Sequence, residues 1–300
     1  MLRHPEIDSL LKYCLLGNQI LDILATEQQG HSAMTAHPQT KGDGLITYSV
    51  DGDVALIGLN RPDKRNALSD RFVIALGAAV ARATAEARAA VLHGHGTHFC
   101  AGLDLAEHSE KPLFEAVKGS RLWHRTFETI EMGEIPFVCA ITGAAVGGGF
   151  ELAASSHIRV AEETAFFALP EGTRGIFVGG GGSVRISRLI GSARMGDMML
   201  TGRSVSATDM ERWGGVSYVV PAGTALERAT EIAHRMAQNA EFTNYAILNA
   251  LPRIADMSAD SGLFTEAMVA SLATMTPEAK QRLKDFLEKR SPKVQAPDAH

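Results

Sequence analysis

Two periodicities alternate along the chain from residue 45. Residues 45–50 and 54–60 are apolar, β-rich runs on either side of Asp51-Gly52-Asp53, a pattern that predicts a hairpin with a glycine turn. Pro62 then opens a polar loop, Arg61 to Asn66, and blocks a helix at its start. Ser69 is a good N-cap, and the alanine-rich run to Arg88 has strong helix propensity. Residues 89–92 read as a buried strand, 111–132 as a long helix and 136–141 as the next strand. A glycine turn leads to a helix through Ala154 and a short strand over 157–161. After a flexible region at 172–182 come helical segments near 183–189, 193–200 and 207–213, and a last strand at 216–220. From Leu226 the pattern is helical to about Arg290. Strands and helices alternate over 45–220 and helices alone finish the chain, which predicts an α/β core followed by a helical module. The expected division is 1–40, an N-terminal extension; 41–222, the α/β core; and 223–300, the helical module.

The first 33 residues carry a separate, roughly helical apolar stripe: Leu10, Leu11, Cys14, Leu15, Ile20, Leu21 and Leu24. Glu6, Asp8 and Lys12 argue against a signal peptide, and the stretch lacks the arginine-rich, acid-poor character of a mitochondrial presequence. It reads as an accessory extension, or as an upstream start of the reading frame with Met34 inside the following polar linker.

Charge and composition narrow the function. The 300 residues carry a net charge of −5 and no basic block, against a nucleic-acid surface. No apolar run is long enough to span a bilayer. Cys14, Cys100 and Cys139 fall in no metal or redox spacing, which fits a reducing, cytoplasmic setting.

Candidate chemistry centres on residues 141–154, Ile-Thr-Gly-Ala-Ala-Val-Gly-Gly-Gly-Phe-Glu-Leu-Ala-Ala. Three glycines bare the backbone just before a helix, where unpaired N–H groups suit an oxygen that develops negative charge. A second small-residue turn surrounds Gly102. Convergence of the two turns would make an oxyanion hole; unrelated loops are the plainer reading. Neither 147–149 nor 179–182 fits a dinucleotide or P-loop motif. Glu151 stands in an apolar stretch and Glu171 follows 20 positions on. Two carboxylates at one substrate can divide acid and base roles, although a solvated surface Glu is the commoner case. His93, His95 and His98 share a loop without a recognised ligand spacing, so a metal is not expected. Asp197, Met198, Met199 and Trp213 read as ordinary helix and core residues. No Gly-x-Ser-x-Gly elbow is present, and Cys100 has no identifiable base.

Four segments together resemble the crotonase superfamily, the enoyl-CoA hydratase/isomerase family. They are residues 59–68 (Leu-Asn-Arg-Pro-Asp-Lys-Arg-Asn-Ala-Leu), 99–105 (Phe-Cys-Ala-Gly-Leu-Asp-Leu), 141–152, and Pro170-Glu171, in the family's order and spacing. The resemblance covers about 45–290 and leaves residues 1–40 without a counterpart. It implies a spiral of ββα units and a helical C-terminal module used in assembly as a homotrimer or dimer of trimers. It implies a coenzyme A thioester as substrate, with no metal and no separate cofactor. By the same resemblance, the N–H groups of Leu103 and Gly148 hold the thioester oxygen. Glu151 orients water and takes its proton, and Glu171 protonates the α-carbon. Lys64, Arg65, Ala67, Ala101, Gly102, Asp104, Leu105 and Gly147 surround the substrate, with residues 64–68 beside the CoA moiety and Lys289-Arg290 near its phosphates.

The sequence departs from the family after Glu171. The usual proline is absent, and residues 172–183 read Gly-Thr-Arg-Gly-Ile-Phe-Val-Gly-Gly-Gly-Gly-Ser. Leu103 is also larger than the residue usual beside the oxyanion donor. Both changes point to an acyl site reshaped for branched or aromatic groups. The leading expectation is a 2-enoyl-CoA hydratase. A double-bond isomerase and a hydroxycinnamoyl-CoA hydratase-lyase are the alternatives on this scaffold, and a CoA-thioester binding protein is the non-enzymatic one.

Overall fold

The computed structural model describes residues 44–108 and 112–290, which belong to one compact unit. The apolar stripe expected over 1–33, the linker after it and Cys14 lie outside the described residues.

The hairpin forms as the pattern predicts. β1 (Ile46–Asp51) pairs antiparallel with β2 (Val54–Leu59), with Gly52 in the turn at φ +57°. β2 then pairs parallel with β3 (Ala89–Gly94), and β3 with β4 (Phe137–Ile141). A second sheet begins with β5 (Ala144–Val146), while β6 (Ile158–Glu162) extends the first. β7 (Phe166–Ala168) and β8 (Ser204–Ser206) join β5, and β9 (Tyr218–Val220) closes the first sheet. The orders are β1-β2-β3-β4-β6-β9 and β5-β7-β8. The small sheet was not expected. Its strands are three residues long, too short to show a period of two.

Strand alternation assigns each side chain to one of two cores. Leu92, Cys139, Ile141 and Ala161 join the larger core with Phe72 and Leu76 of α1 (Asp70–Glu86). Val91, Val138, Ala140 and Val160 face the other way, against Ala225, Ala229, Ile232 and Ala233 of the helix Ala225–Ala237. Covered on both faces, these strands read as continuous apolar runs.

Ser69 caps α1, its side chain accepting from Phe72 N–H at 3.3 Å. After β3 come the short α2 (Leu105–His108) and α3 (Leu113–Glu131), which packs on α1. α4 (Gly148–Ser155) follows β5 and packs against α3 and α5 (Gly182–Ile190). α6 (Ser192–Thr201) and α7 (Ala207–Arg212) precede the final run of α8 (Ala225–Ala237), α9 (Glu241–Ala255), α10 (Ala259–Met275) and α11 (Pro277–Leu287). Among the described residues no helix is long and apolar enough to cross a membrane.

Candidate active site

Two turns meet at the C-terminal end of the central strands. Gly102 takes φ +89°, a left-handed value open to glycine, and a Cβ there would lie 3.1 Å from Gly148 N. A Cβ on Gly148 would in turn lie 3.5 Å from Leu103 N. The N–H groups of Leu103 and Gly148 therefore sit side by side, and neither donates to another described residue. Gly148 opens α4, so its free N–H is the orphan donor of a helix start. The bridge Cys100↔Ala145 and the bond Cys100 N–H to Ala144 O at 2.9 Å hold the two turns together.

Glu151 lies in the first turn of α4 and is buried, at 2% exposure. Its Oε1 accepts from Gly180 N–H at 2.8 Å and Gly182 N–H at 2.7 Å. Burial pushes its carboxyl above the ordinary range, and these backbone N–H groups and the Arg185 charge oppose the shift. Glu171 follows β7. Its Oε2 is buried without a hydrogen-bond partner among the described residues. Burial, with the nearby Glu151 carboxylate adding to it, pushes Glu171 up to about 7. Gly147 admits this group: a Cβ there would meet Glu171 Oε1 at 2.7 Å.

Both glutamates and both turns border one cavity of about 260 Å³. Its walls include Ala101, Gly102, Leu103, Leu105, Gly147 and Gly148 from the sequence reading. Lys64, Arg65, Ala67 and Asp104 are not on those walls. The Asp104 carboxylate is committed to ion pairs with Arg61 at 2.9 Å and Lys64 at 3.3 Å, and these pairs hold its carboxyl below the usual range against the opposing effect of burial. These pairs tie Asp104 to the 61–64 loop. Arg65 is exposed, at φ 51°, and its carbonyl accepts from Ala101 N–H at 2.9 Å. Arg290 is paired with Asp285 and Glu288.

The enoyl-CoA hydratase/isomerase family model matches residues 49–297. The chain belongs to that family. It is 34% identical to the 2,3-dehydroadipyl-CoA hydratase of Escherichia coli K12 over 243 residues, 80% of this chain and 94% of the relative. It is 32% identical to the short-chain-enoyl-CoA hydratase of Clostridium acetobutylicum over 248 residues, 82% and 95% of the two chains. A crystal structure from Rhodopseudomonas palustris CGA009, provisionally named an enoyl-CoA hydratase, superposes with a TM-score of 0.80 at 47% identity. That match covers 88% of this chain and all of the other. The ββα spiral expected from the resemblance is the fold these enoyl-CoA hydratase relatives share.

Within this family member, several cavity residues escaped the sequence reading. Ala116, Gly119, Ser120 and Trp123 form one face of α3 along the cavity, and Asp70 joins them from α1. Their spacing of three and four positions was the available signal. Arg174, Ile176, Phe177 and Val178 come from the divergent loop after Glu171, which does border the cavity. The loop histidines serve structure. His98 Nδ1 accepts from Ala144 N–H at 3.1 Å, and His95 Nε2 bonds Thr47 Oγ1 at 2.7 Å. Among the described residues no group of acids, cysteines and histidines is placed to hold a metal. Cys100 is fully buried, its thiol pushed up to about 12 by burial and donating to Asn66 O at 3.0 Å.

Proposed function

We propose that this family member is a 2-enoyl-CoA hydratase. One observation supports the reading most: a buried Glu171 carboxyl, whose Oε2 has no hydrogen-bond partner among the described residues, shares a cavity with an amide-gripped Glu151 and two converging free N–H groups. In this scheme the thioester oxygen accepts from Leu103 N–H and Gly148 N–H. Glu151 takes a proton from water as the hydroxyl oxygen bonds to the β-carbon. The electron pair of the double bond moves toward the carbonyl and leaves an enolate, whose charge the two N–H groups stabilise most in the transition state. Glu171, held near 7 and therefore able to carry a proton at neutral pH, delivers it to the α-carbon. Water is consumed, no electrons are exchanged with a cofactor, and proton transfer back from Glu151 to Glu171 restores the start.

The test is loss of enoyl-thioester ultraviolet absorbance on adding purified protein, over a panel of acyl groups. The panel includes branched, aromatic and carboxylate-ended chains. The last is motivated by Arg174 on the cavity wall and by the name of the Escherichia coli relative. No loss with any member overturns the reading, and a shifted double bond without hydration makes the protein an isomerase. Glu151→Gln and Glu171→Gln should each lower the rate by roughly a hundred- to ten-thousand-fold. We also assign the exposed apolar side chains of α10, Leu263, Phe264, Met268 and Leu272, to subunit contacts in a trimer or dimer of trimers. A mass by light scattering equal to one chain would remove that assignment.

A further inference from the structure

Glu151 is held by a glycine loop, and that loop is held in turn by two side chains, Ser120 and Arg185. Three consecutive peptides are involved. The 179–180 peptide donates Gly180 N–H to Glu151, while its carbonyl, Gly179 O, accepts from Ser120 Oγ at 2.6 Å. The 181–182 peptide donates Gly182 N–H to the same carboxylate. The 180–181 peptide between them turns its carbonyl to Arg185 Nη1 at 3.0 Å. The Nε of that guanidinium is paired with Glu131 Oε2 at 2.5 Å. Four glycines in a row have no side chain with which to fix these peptides, and Gly181 sits at φ +101°.

The ion pair is oddly placed for helix stability. Arg185 lies in the first turn of α5 and Glu131 is the last residue of α3, so each charge is at the end its helix dipole disfavours. The planar fork of Arg185 reaches Glu131 and Gly180 O at once, which a lysine ammonium on a single stem cannot reproduce. The Arg185 side chain is only 9% exposed.

We propose that the Arg185–Glu131 pair is a positioning device that keeps the 180 and 182 amides aimed at Glu151. This deepens the proposed hydratase reading and rests on it for the role of Glu151 as base. The pair acts through the loop and touches no substrate. Other charged groups lie around the pair, the loop and the cavity. From α3, His124 lies near Arg185, with Arg121 and Glu128 beside it; from the loop after β7, Glu171 faces Glu151 and Arg174 lies near Glu171; from α1, Asp70 borders the cavity.

The test compares full-length Arg185→Lys, Arg185→Met and Glu131→Gln with the unaltered protein. Two readouts are taken: kcat and KM for hydration across pH, and infrared titration of the carboxyl band that disappears in Glu151→Gln. We expect kcat to fall about tenfold in each variant, because the effect falls on transition-state alignment, with KM changed by less than about twofold. Losing aligned amides and a nearby cation destabilises the carboxylate, so the Glu151 band should titrate at higher pH in Arg185→Met. Adding Glu131→Gln to Arg185→Met should cost nothing further in kcat. Unchanged kcat and an unmoved band in folded Arg185→Met would overturn the proposal. If Arg185→Met does not fold, unchanged kcat and band in Arg185→Lys and Glu131→Gln overturn it equally. A protein that hydrates no enoyl thioester defeats the hydratase reading, and the infrared titration still decides the positioning role.

Discussion

The indole of Trp123 packs directly on Gly148: a methyl group built on that glycine would lie 2.7 Å from Trp123 Cζ3. The indole cannot swing away freely, because its Nε1 donates to Asp70 Oδ1 at 3.2 Å. Gly148→Ala should therefore push α4 off the thioester position and lower kcat/KM by about a hundredfold, the scale of losing one oxyanion donor. Trp123→Phe added to Gly148→Ala should recover part of the loss by making room. The measurement is steady-state hydration by the two variants; a double variant no better than the single one shows that the clash is not the cause.

Glu171 makes stability depend on pH. Its carboxyl titrates near 4.5 when unfolded and about 7 when folded, so the folded state binds the proton more tightly. Stability is full below the unfolded value and declines as pH rises through the folded one. Glu171→Gln cannot ionise, and relative to the unaltered protein it should gain up to about 3 kcal/mol above pH 7, with little difference at pH 4. Urea unfolding at both pH values checks this. Equal stability differences at the two would remove the linkage.

How much of this was legible in the sequence follows from what each residue type reveals alone. The hairpin around Gly52 and the long helices show in the pattern because each spans several periods. β5, β7 and β8 do not, since three residues carry no period and their pairing is long-range. The turns at Gly102 and Gly148 were visible as bare backbone, but their convergence follows from strand order, and residue types alone left two unrelated loops as the plainer reading. The α3 wall was missed because Ala116, Gly119 and Ser120 look like helix filler until the cavity gives them a direction. The Arg185–Glu131 pair joins positions 54 apart, and no local pattern marks it. The ion pairs of Asp104 with Arg61 and Lys64 were likewise invisible, because they join positions some 40 apart in the chain.

His157 should set the acid limit of the fold. Its Nδ1 accepts from Phe137 N–H at 2.9 Å and its Nε2 bonds Glu131 O at 3.0 Å, a pattern that requires the neutral ring with its proton on Nε2. Burial is the main cause that brings it down from 6.5 to about 4. The unfolded chain then binds the proton more tightly, and stability is lost as pH falls from about 6.5 to 4. His157→Gln should flatten that loss, worth on the order of 2 kcal/mol once the ring's partial exposure is allowed for. Denaturant titrations at pH 7 and 4.5 compare the two proteins. A His157→Gln variant as acid-sensitive as the parent would assign the loss to other groups.

Asn66 ties the 61–66 loop to the turn that presents Leu103. It is fully buried at φ 56°, a left-handed conformation that asparagine tolerates better than most residues. Its Oδ1 accepts from Arg61 N–H at 2.8 Å. Its Nδ2 donates to the carbonyls of His95, His98 and Phe99 at 2.9–3.1 Å, and its own carbonyl accepts from the Cys100 thiol. Asn66→Ala leaves those buried groups unpaired and keeps the strained backbone, so it should destabilise by about 3 kcal/mol. Asn66→Gly removes the same bonds without the strain and should lose less. Because the freed segment leads straight into Gly102-Leu103, both variants should also raise KM for the thioester. Thermal melting and substrate saturation on the same preparations separate the two effects. Melting temperatures that rank alanine at or above glycine would show that the left-handed backbone carries none of the loss.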